Sequence, residues 1–139
     1  MRLELSEERV LSSGSVLGVL FPLKSSERAA MALVSLFRSS GGYVSKEQMS
    51  AFARRLDVGR EALGGEPVRY SRRNFYLTVM KRLVDMGFVQ RNVRHRDPGT
   101  GEESYAYMRN IFDIPARPPA VGFWRLAYHL CRRWNELFE

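Results

Sequence analysis

The sequence predicts an α+β fold that is mostly helical, with one β-hairpin and an added helix at the C-terminal end. Apolar residues recur at spacings of three and four in four separate stretches, which is the pattern of helices with one buried face. Between the third and fourth stretches, residues 88–112 form two extended segments around a turn rich in glycine and proline. A chain of 139 residues with 45% hydrophobic content can bury its own core, so we expect one domain.

Capping residues mark the start of the first two helices. The segment Lys24-Ser25-Ser26-Glu27 offers a serine cap for a first helix, which Ser39-Ser40-Gly41-Gly42 should end. Tyr43 and Val44 suit a short strand, and Ser45-Lys46-Glu47-Gln48 is a capping box for a second helix that runs to about Leu56. The apolar run at 16–21 is too short to distinguish a strand from a helix, and we expect it to pack on the domain or on a second subunit.

The segment from Asp57 to Arg69 holds three glycines and a proline, so we predict a loop with a helical turn near residues 60–63. Ser71 can then cap a third helix, whose apolar stripe runs from Phe75 to Met86. Gly87 suits a left-handed helix end. The two strands of the hairpin should be Phe88–Arg96 and Ser104–Phe112.

The C-terminal part forms a separate amphipathic helix after a break at Pro115, Pro118 and Pro119. We therefore divide the chain into an N-terminal extension (1–24), a domain (25–114) and a C-terminal helix (115–139). This helix has more apolar area than one small domain can usually cover, and its aromatic enrichment fits a homodimer interface, although packing on the first helix is the alternative. The candidate interface residues are Trp124, Tyr128, Cys131, Trp134, Leu137 and Phe138.

The positive charge is concentrated in one segment. The chain has a formal net charge of +7, and residues 69–96 hold eight basic residues against the single acid Asp85. The basic and acidic residues of the rest of the chain cancel, at fourteen of each. A focused excess of this kind favours an anionic partner, with nucleic acid the first candidate, over a merely soluble basic face.

The order of helix, strand, helix, loop, helix and hairpin, centred on Met80-Lys81-Arg82-Leu83-Val84-Asp85-Met86-Gly87-Phe88-Val89-Gln90-Arg91, resembles the winged helix-turn-helix superfamily. The resemblance covers residues 25–112, and the glycine junction and the position of the hairpin are its most informative features. It implies a recognition helix in the major groove of DNA and a hairpin, the wing, on the backbone or in the minor groove. The segment before the third helix is longer than the turn usual in the superfamily.

The exposed side of the third helix and the wing supply the candidate DNA contacts. Arginine can bond guanine and asparagine can bond adenine through two hydrogen bonds, and the first turn of a recognition helix usually contacts base edges. On the wing, Arg94 and Arg96 lie two apart on a strand and share one face. The candidate residues are Arg72, Arg73, Asn74, Thr78, Lys81, Arg82, Arg91, Arg94 and Arg96.

We therefore expect a protein that binds duplex DNA in a sequence-specific manner, as a dimeric transcriptional regulator in the cytoplasm. A DNA-binding role in replication or plasmid maintenance is an alternative that the sequence does not separate from regulation. A winged-helix adapter for other proteins is the alternative from a different class, and the focused charge argues against it.

Other classes of function find little support in the sequence. We expect no enzyme, no cofactor and no metal site, because His95 and His129 are far apart and Cys131 would lie on a different helix face from His129. No stretch of 18 apolar residues predicts a membrane span, and the first five residues do not resemble a signal peptide. Tyr105 and Tyr107 could stack on bases, but cross-strand packing within the hairpin is the preferred interpretation.

Overall fold

The computed structural model describes residues 5–139 and has an α+β architecture, about half helical, with a small antiparallel sheet. The central helix α5 is continuous and consists of Arg72–Asn74, a π-helical segment at Phe75–Met80, and Lys81–Asp85. The other elements, in chain order, are α1 (Glu7–Ser12), α2 (Val16–Leu20), α3 (Lys24–Ser39), β1 (Tyr43–Ser45), α4 (Lys46–Asp57), β2 (Glu61–Leu63), β3 (Glu66–Val68), β4 (Val89–Arg96), β5 (Glu103–Arg109) and α6 (Gly122–Glu136).

The two predicted helix starts differ in outcome. The capping box at α4 is confirmed, because the Gln48 N–H donates to Ser45 Oγ at 3.1 Å and the Ser45 N–H donates to Gln48 Oε1 at 3.0 Å. The predicted serine cap of α3 is wrong, since Leu23 occupies the cap position and makes no side-chain cap bond. Ser26 is instead buried, and its hydroxyl lies 3.0 Å from that of Tyr70.

The segment after α4 is a hairpin and not the predicted loop with a helical turn. Strands β2 and β3 pair in antiparallel fashion, with Leu63 opposite Glu66. Gly64 and Gly65 connect them with φ angles of 57° and 83°. Two consecutive left-handed residues are what a tight two-residue hairpin turn of this hand requires, and glycine adopts them without strain.

The larger sheet has the strand order β1-β5-β4, so β5 lies in the centre. Tyr43 pairs with Met108, and Val89 pairs with Arg109. The register between β4 and β5 shifts between Gln90 and Val93, and a non-glycine residue there, Asn92, has a φ of 59°. Such an irregularity bends a hairpin and increases its twist. The outer half of the β4–β5 hairpin therefore points in a different direction from its base.

The end of α5 is fixed by Gly87, as predicted. Gly87 has a φ of 83° and its N–H donates to the Val84 carbonyl, while the Phe88 N–H donates to that of Leu83. This pair of bonds is the Schellman arrangement that satisfies the last carbonyls of a helix. Because β4 begins one residue after Phe88, the same turn fixes the direction of the hairpin relative to α5.

The apolar run at 16–21 belongs to the core of its own chain. It forms α2 and the residue after it, and five of its six residues, Val16, Leu17, Val19, Leu20 and Phe21, are buried. Of the two predicted alternatives, packing on its own domain is therefore confirmed and packing on a second subunit is wrong. The five apolar side chains are buried in their own chain and cannot contact a partner.

The C-terminal helix α6 packs on the same core through its second half. Trp134 is fully buried, its ring centroid lies 4.8 Å from that of Phe88, and its Nε1 donates to the Asn110 carbonyl at 2.7 Å. Asn135 bonds both the N–H and the carbonyl of Phe112. Trp134 is therefore wrong as an interface residue, because this ring fills the core of its own chain. Within the described part of the chain, no helix has the length and apolar character needed to cross a bilayer.

Candidate nucleic-acid interface

The first turn of α5 is held firmly while its side chains stay exposed. Ser71 Oγ accepts from the Asn74 N–H at 3.0 Å, and Asp57 Oδ1 accepts from the Arg72 N–H at 3.2 Å. These bonds satisfy two N–H groups that a helix start leaves without partners. Arg72, Arg73 and Asn74 are all exposed, and no residue in the range 5–139 forms a hydrogen bond or ion pair with the Arg73 guanidinium.

The buried stripe of α5 determines which residues point outward. Phe75, Val79 and Leu83 are fully buried, as the sequence predicts, and Leu77 is 57% exposed on the other side. Leu77 therefore places an apolar side chain on the exposed side of α5, near Thr78 and Lys81. The helix is wider here because of its π geometry, which often occurs at functional sites.

The second half of α5 differs from the prediction at Arg82. Its Nη1 donates to the Leu20 carbonyl at 2.8 Å, and its guanidinium lies 5.5 Å from the centroid of the Phe21 ring. Arg82 thus links α5 to the end of α2 and is not free to contact DNA, which corrects the expectation for this residue. Thr78 faces the same side and is half-buried, with Phe21 and Ser26 in the shallow pocket beside it.

Lys81 is exposed but has a partner. Its Nζ lies 2.5 Å from Asp85 Oδ2, one turn further along α5, and both side chains are more than half exposed. Exposed pairs of this kind contribute little to stability and exchange readily with other ionic partners. Lys81 therefore stays a candidate for a phosphate contact.

The arginines of the β4–β5 hairpin share one face, as the sequence predicts, and they share it with a carboxylate. Glu103 Oε1 lies 2.9 Å from Arg94 Nε, and Glu103 Oε2 lies 3.7 Å from Arg96 Nη2. One acid between two arginines reduces the positive charge of this face by about half. Arg91 lies nearer the base of the hairpin and is exposed.

Helix α4 adds basic residues that the sequence analysis missed. Lys46, Ser50 and Arg54 are four apart and therefore lie along one side of the helix. Lys46 Nζ lies 5.8 Å from the centroid of the Tyr105 ring, and Arg54 Nη2 donates to Ser50 Oγ at 3.2 Å. The spacing of four residues between Lys46, Ser50 and Arg54 in the sequence could have shown that the two basic side chains lie on the same side of α4.

Tyr76 shows how α4, α5 and β5 come together. Burial raises the pKa of its hydroxyl, and the neighbouring Tyr107 raises that pKa further. Arg72 and Arg54 act in the opposite sense, so both guanidinium groups lie close enough for their fields to reach the Tyr76 hydroxyl. The hydrogen bond from the Arg72 N–H to Asp57, the last residue of α4, places the first turn of α5 beside the end of α4.

The tyrosines of the hairpin have different environments. Tyr107 pairs with Val44 of β1 and packs half-buried against the core, whereas Tyr105 is exposed beneath Lys46, so cross-strand packing of the two rings within the hairpin stays a prediction. The two histidines also lie apart, because His95 stacks on Tyr43 in the sheet while His129 is buried beside Glu7. Cys131 lines a pocket on α6 whose described lining does not include His129.

The aromatic residues of α6 are divided between core and surface. Trp124 is 62% exposed and Phe123, beside it, is 71% exposed. The remaining predicted interface residues lie between these extremes: Tyr128 and Cys131 are half-buried, and Leu137 and Phe138 pack partly against the core. Only the first half of α6 thus presents large apolar side chains to solvent.

The basic residues identified above form what we call the basic face: Lys46, Arg54, Arg72, Arg73, Arg94 and Arg96. Three elements contribute to it, and Glu103 is the acid that pairs with two of its members. A surface of this kind can bind a polyanion by displacing the cations that surround phosphate groups. Comparisons with models of protein families, with curated proteins and with solved structures found no match to this chain.

Proposed function

We propose that this chain is a winged helix-turn-helix protein that binds duplex DNA, with α5 in the major groove and the β4–β5 hairpin as its wing. The order α3, β1, α4, α5, β4, β5 agrees with the resemblance seen in the sequence. The extra β2–β3 hairpin accounts for the long connection before α5, and the residues that hold the start of α5 flank it: Asp57 at the end of α4 and Ser71 after β3. The long connection is therefore compatible with a fixed recognition helix.

The observation that supports DNA binding most directly is the composition of the basic face. Its arginines and lysine come from α4, the first turn of α5 and the hairpin, and Arg73 is exposed at the capped start of α5. The major groove of B-DNA admits one α-helix, and the first residues of such a helix approach the base edges. Duplex DNA suits this shape better than a flat acidic protein surface does.

We assign the roles by position. Arg73 and Asn74 are the candidates for base edges, because they are exposed in the first turn of α5. Arg72, Arg54 and Lys46 would contact phosphates on one side of the groove. Arg94 and Arg96 would lie on the backbone or enter the minor groove, where narrow segments attract arginine. Such a protein would act as a sequence-specific regulator of transcription.

We also propose a homodimer, through a smaller surface than the sequence suggested. Val121, Phe123 and Trp124 are exposed within four residues at the start of α6, and the rings of Phe123 and Trp124 lie 5.3 Å apart at their centroids. Exposed aromatic clusters are typical of the centre of a protein interface. A two-fold dimer would present two copies of α5 to a palindromic site.

The test is fluorescence anisotropy with a labelled random duplex over a series of salt concentrations, beside a single strand of the same length. We expect duplex binding that weakens steeply as salt rises and a weaker interaction with the single strand. Arg54→Gln should reduce the affinity and the salt dependence, whereas Arg132→Gln, which removes the same charge from α6, should leave both unchanged. Absence of duplex binding at low salt would overturn the proposal.

A further inference from the structure

A cavity of about 250 Å³ lies between the C-terminal end of α5 and the exposed start of α6. It is open to solvent on one side, and four parts of the described chain line it: Leu5, two residues before α1, the turn that joins α5 to β4, the segment after β5, and α6. Its walls include Leu5, Met86, Phe88, Phe112, Leu130 and Cys131. Phe123 stands at its rim, largely exposed.

The chemistry of the lining is almost entirely apolar. Among the described residues of the lining, Cys131 is the only one whose side chain carries a polar group, and a thiol is a weak hydrogen-bond donor. Among residues 5–139, the buried side-chain atoms without a hydrogen-bond partner are Arg109 Nε and His129 Nε2, and neither residue lines the cavity. The side chains of the described lining therefore offer a charged ligand no ionic partner.

We propose that this cavity binds a small apolar molecule of the size of a substituted benzene. A dry cavity of about 150 Å³ with an apolar lining is large enough for benzene in other proteins, so the volume here admits a somewhat larger ring. It lies below the roughly 300 Å³ at which pockets begin to hold drug-sized ligands. A volume of about 250 Å³ has room for a compact molecule but not for a helix or strand of a second copy.

The position of the cavity gives the inference a consequence for the fold. Met86 is the C-cap residue of α5 and Phe88 directly precedes β4, with Gly87 between them. A bound molecule would thus contact both sides of the turn that fixes the direction of the hairpin relative to α5. The inference itself concerns the free protein and does not depend on the proposed DNA binding.

The test compares two ligands of nearly equal shape, p-xylene and p-cresol, by calorimetric titration of the full chain. We expect p-xylene to bind with one molecule per chain. Since the hydroxyl of p-cresol would lose its hydrogen bonds to water and gain none, we expect p-cresol to bind about tenfold more weakly or not at all. Failure of p-xylene to bind, or equal binding of the two ligands, would overturn the inference.

Two further measurements locate the ligand. Ala127→Phe places a ring into the cavity and should abolish p-xylene binding, while Ala116→Phe, at an exposed position before α6, should leave it unchanged. Because Cys131 is the only cysteine of the chain, its reaction with 4,4′-dithiodipyridine reports on the cavity in the unaltered protein. We expect p-xylene to slow this reaction, and an unchanged rate with ligand bound would place the ligand elsewhere.

The same experiments separate a small ligand from a second copy of the chain. If the cavity is filled by a partner copy, p-xylene binding should weaken as the protein concentration rises and as dimers form, and the inference is then wrong. Binding that is independent of protein concentration supports it. A protein that binds p-xylene but no duplex DNA would keep the cavity site and lose the proposed function.

Discussion

The two basic pairs of α5, Arg72-Arg73 at its start and Lys81-Arg82 near its end, look alike in sequence but have different surroundings. The Arg73 side chain is exposed, whereas Arg82 donates to the Leu20 carbonyl and lies over Phe21. A basic residue on an amphipathic helix can thus stay available for a ligand or stabilise the fold. Which of the two it does depends on whether another segment of the chain packs next to it. Helix α6 repeats the contrast with its two tryptophans, since Trp124 is exposed and Trp134 is fully buried.

The largest expected effect tests the contrast within α6. Trp134→Ala should lower the free energy of unfolding by about 3–5 kcal/mol, because it empties the space against Phe88 and leaves the Asn110 carbonyl without its donor. Trp124→Ala should change that free energy by less than about 0.5 kcal/mol. Chemical denaturation measures both. Equal losses from the two variants would show that the contrast is mistaken.

Trp124→Ala should instead act on association. Sedimentation velocity at micromolar concentration should show a dimer for the unaltered chain and a shift toward monomer for this variant, because the exposed aromatic pair is reduced to one ring. A monomeric unaltered chain would remove the dimer from the proposal and leave DNA binding to be judged separately.

The next effect concerns the start of α5. Arg73→Ala should weaken binding to a selected DNA site by about 1–3 kcal/mol and relax the base preference there, with an unchanged melting temperature. The measurement is anisotropy with the selected site and with a scrambled duplex. An equal loss on both duplexes would assign Arg73 to the phosphate backbone and not to a base.

Arg82 should show the opposite behaviour. Arg82→Met keeps much of the packing of the stem but removes the bond to the Leu20 carbonyl, so we expect a loss of about 1–2 kcal/mol in unfolding free energy. DNA affinity, measured well below the melting temperature, should stay within a factor of two of that of the unaltered chain. Unchanged stability with reduced DNA affinity would reverse the roles that we give to the two ends of α5.

The smallest effect sharpens the contrast between α5 and the wing. Glu103→Gln releases Arg94 and Arg96 from their shared acid, which should tighten duplex binding about two- to fivefold at low salt and less at high salt. Glu136→Gln, which frees Arg132 on α6, is the matched control and should have no effect on DNA. Weaker binding after Glu103→Gln would indicate that the acid holds the arginines in their binding positions.

Local signals in the sequence predicted most of the helices and strands. The capping box at Ser45, the left-handed end at Gly87 and the turn at the hairpin tip act over a few residues, so a single segment contains the information. The Gly64-Gly65 hairpin was also a local signal, but a segment rich in glycine resembles a loop unless the pair is recognised as a turn.

The roles of individual side chains were harder to predict because they depend on distant parts of the chain. Arg82 bonds a carbonyl 62 positions away, and Trp134 bonds one 24 positions away. Glu103 also lies outside the basic segment yet pairs with two of its arginines. The periodicity of a helix shows which of its sides is apolar. It does not show which backbone carbonyl or which carboxylate from another part of the chain will lie next to a given side chain.

The π-helical segment at Phe75–Met80 has a consequence for how α5 tolerates a change in length. A π turn, with bonds five residues apart, holds nearly one residue more per turn than an α turn. Deleting a residue there, such as the exposed Leu77, can therefore be absorbed by a return to α geometry, with Arg73 and Leu83 keeping their orientation. The same deletion within α4 would rotate everything after it by about 100° and turn Phe52 or Leu56 out of the core. Length variation in this protein should thus be permitted in the middle of α5, a place where helices ordinarily forbid it.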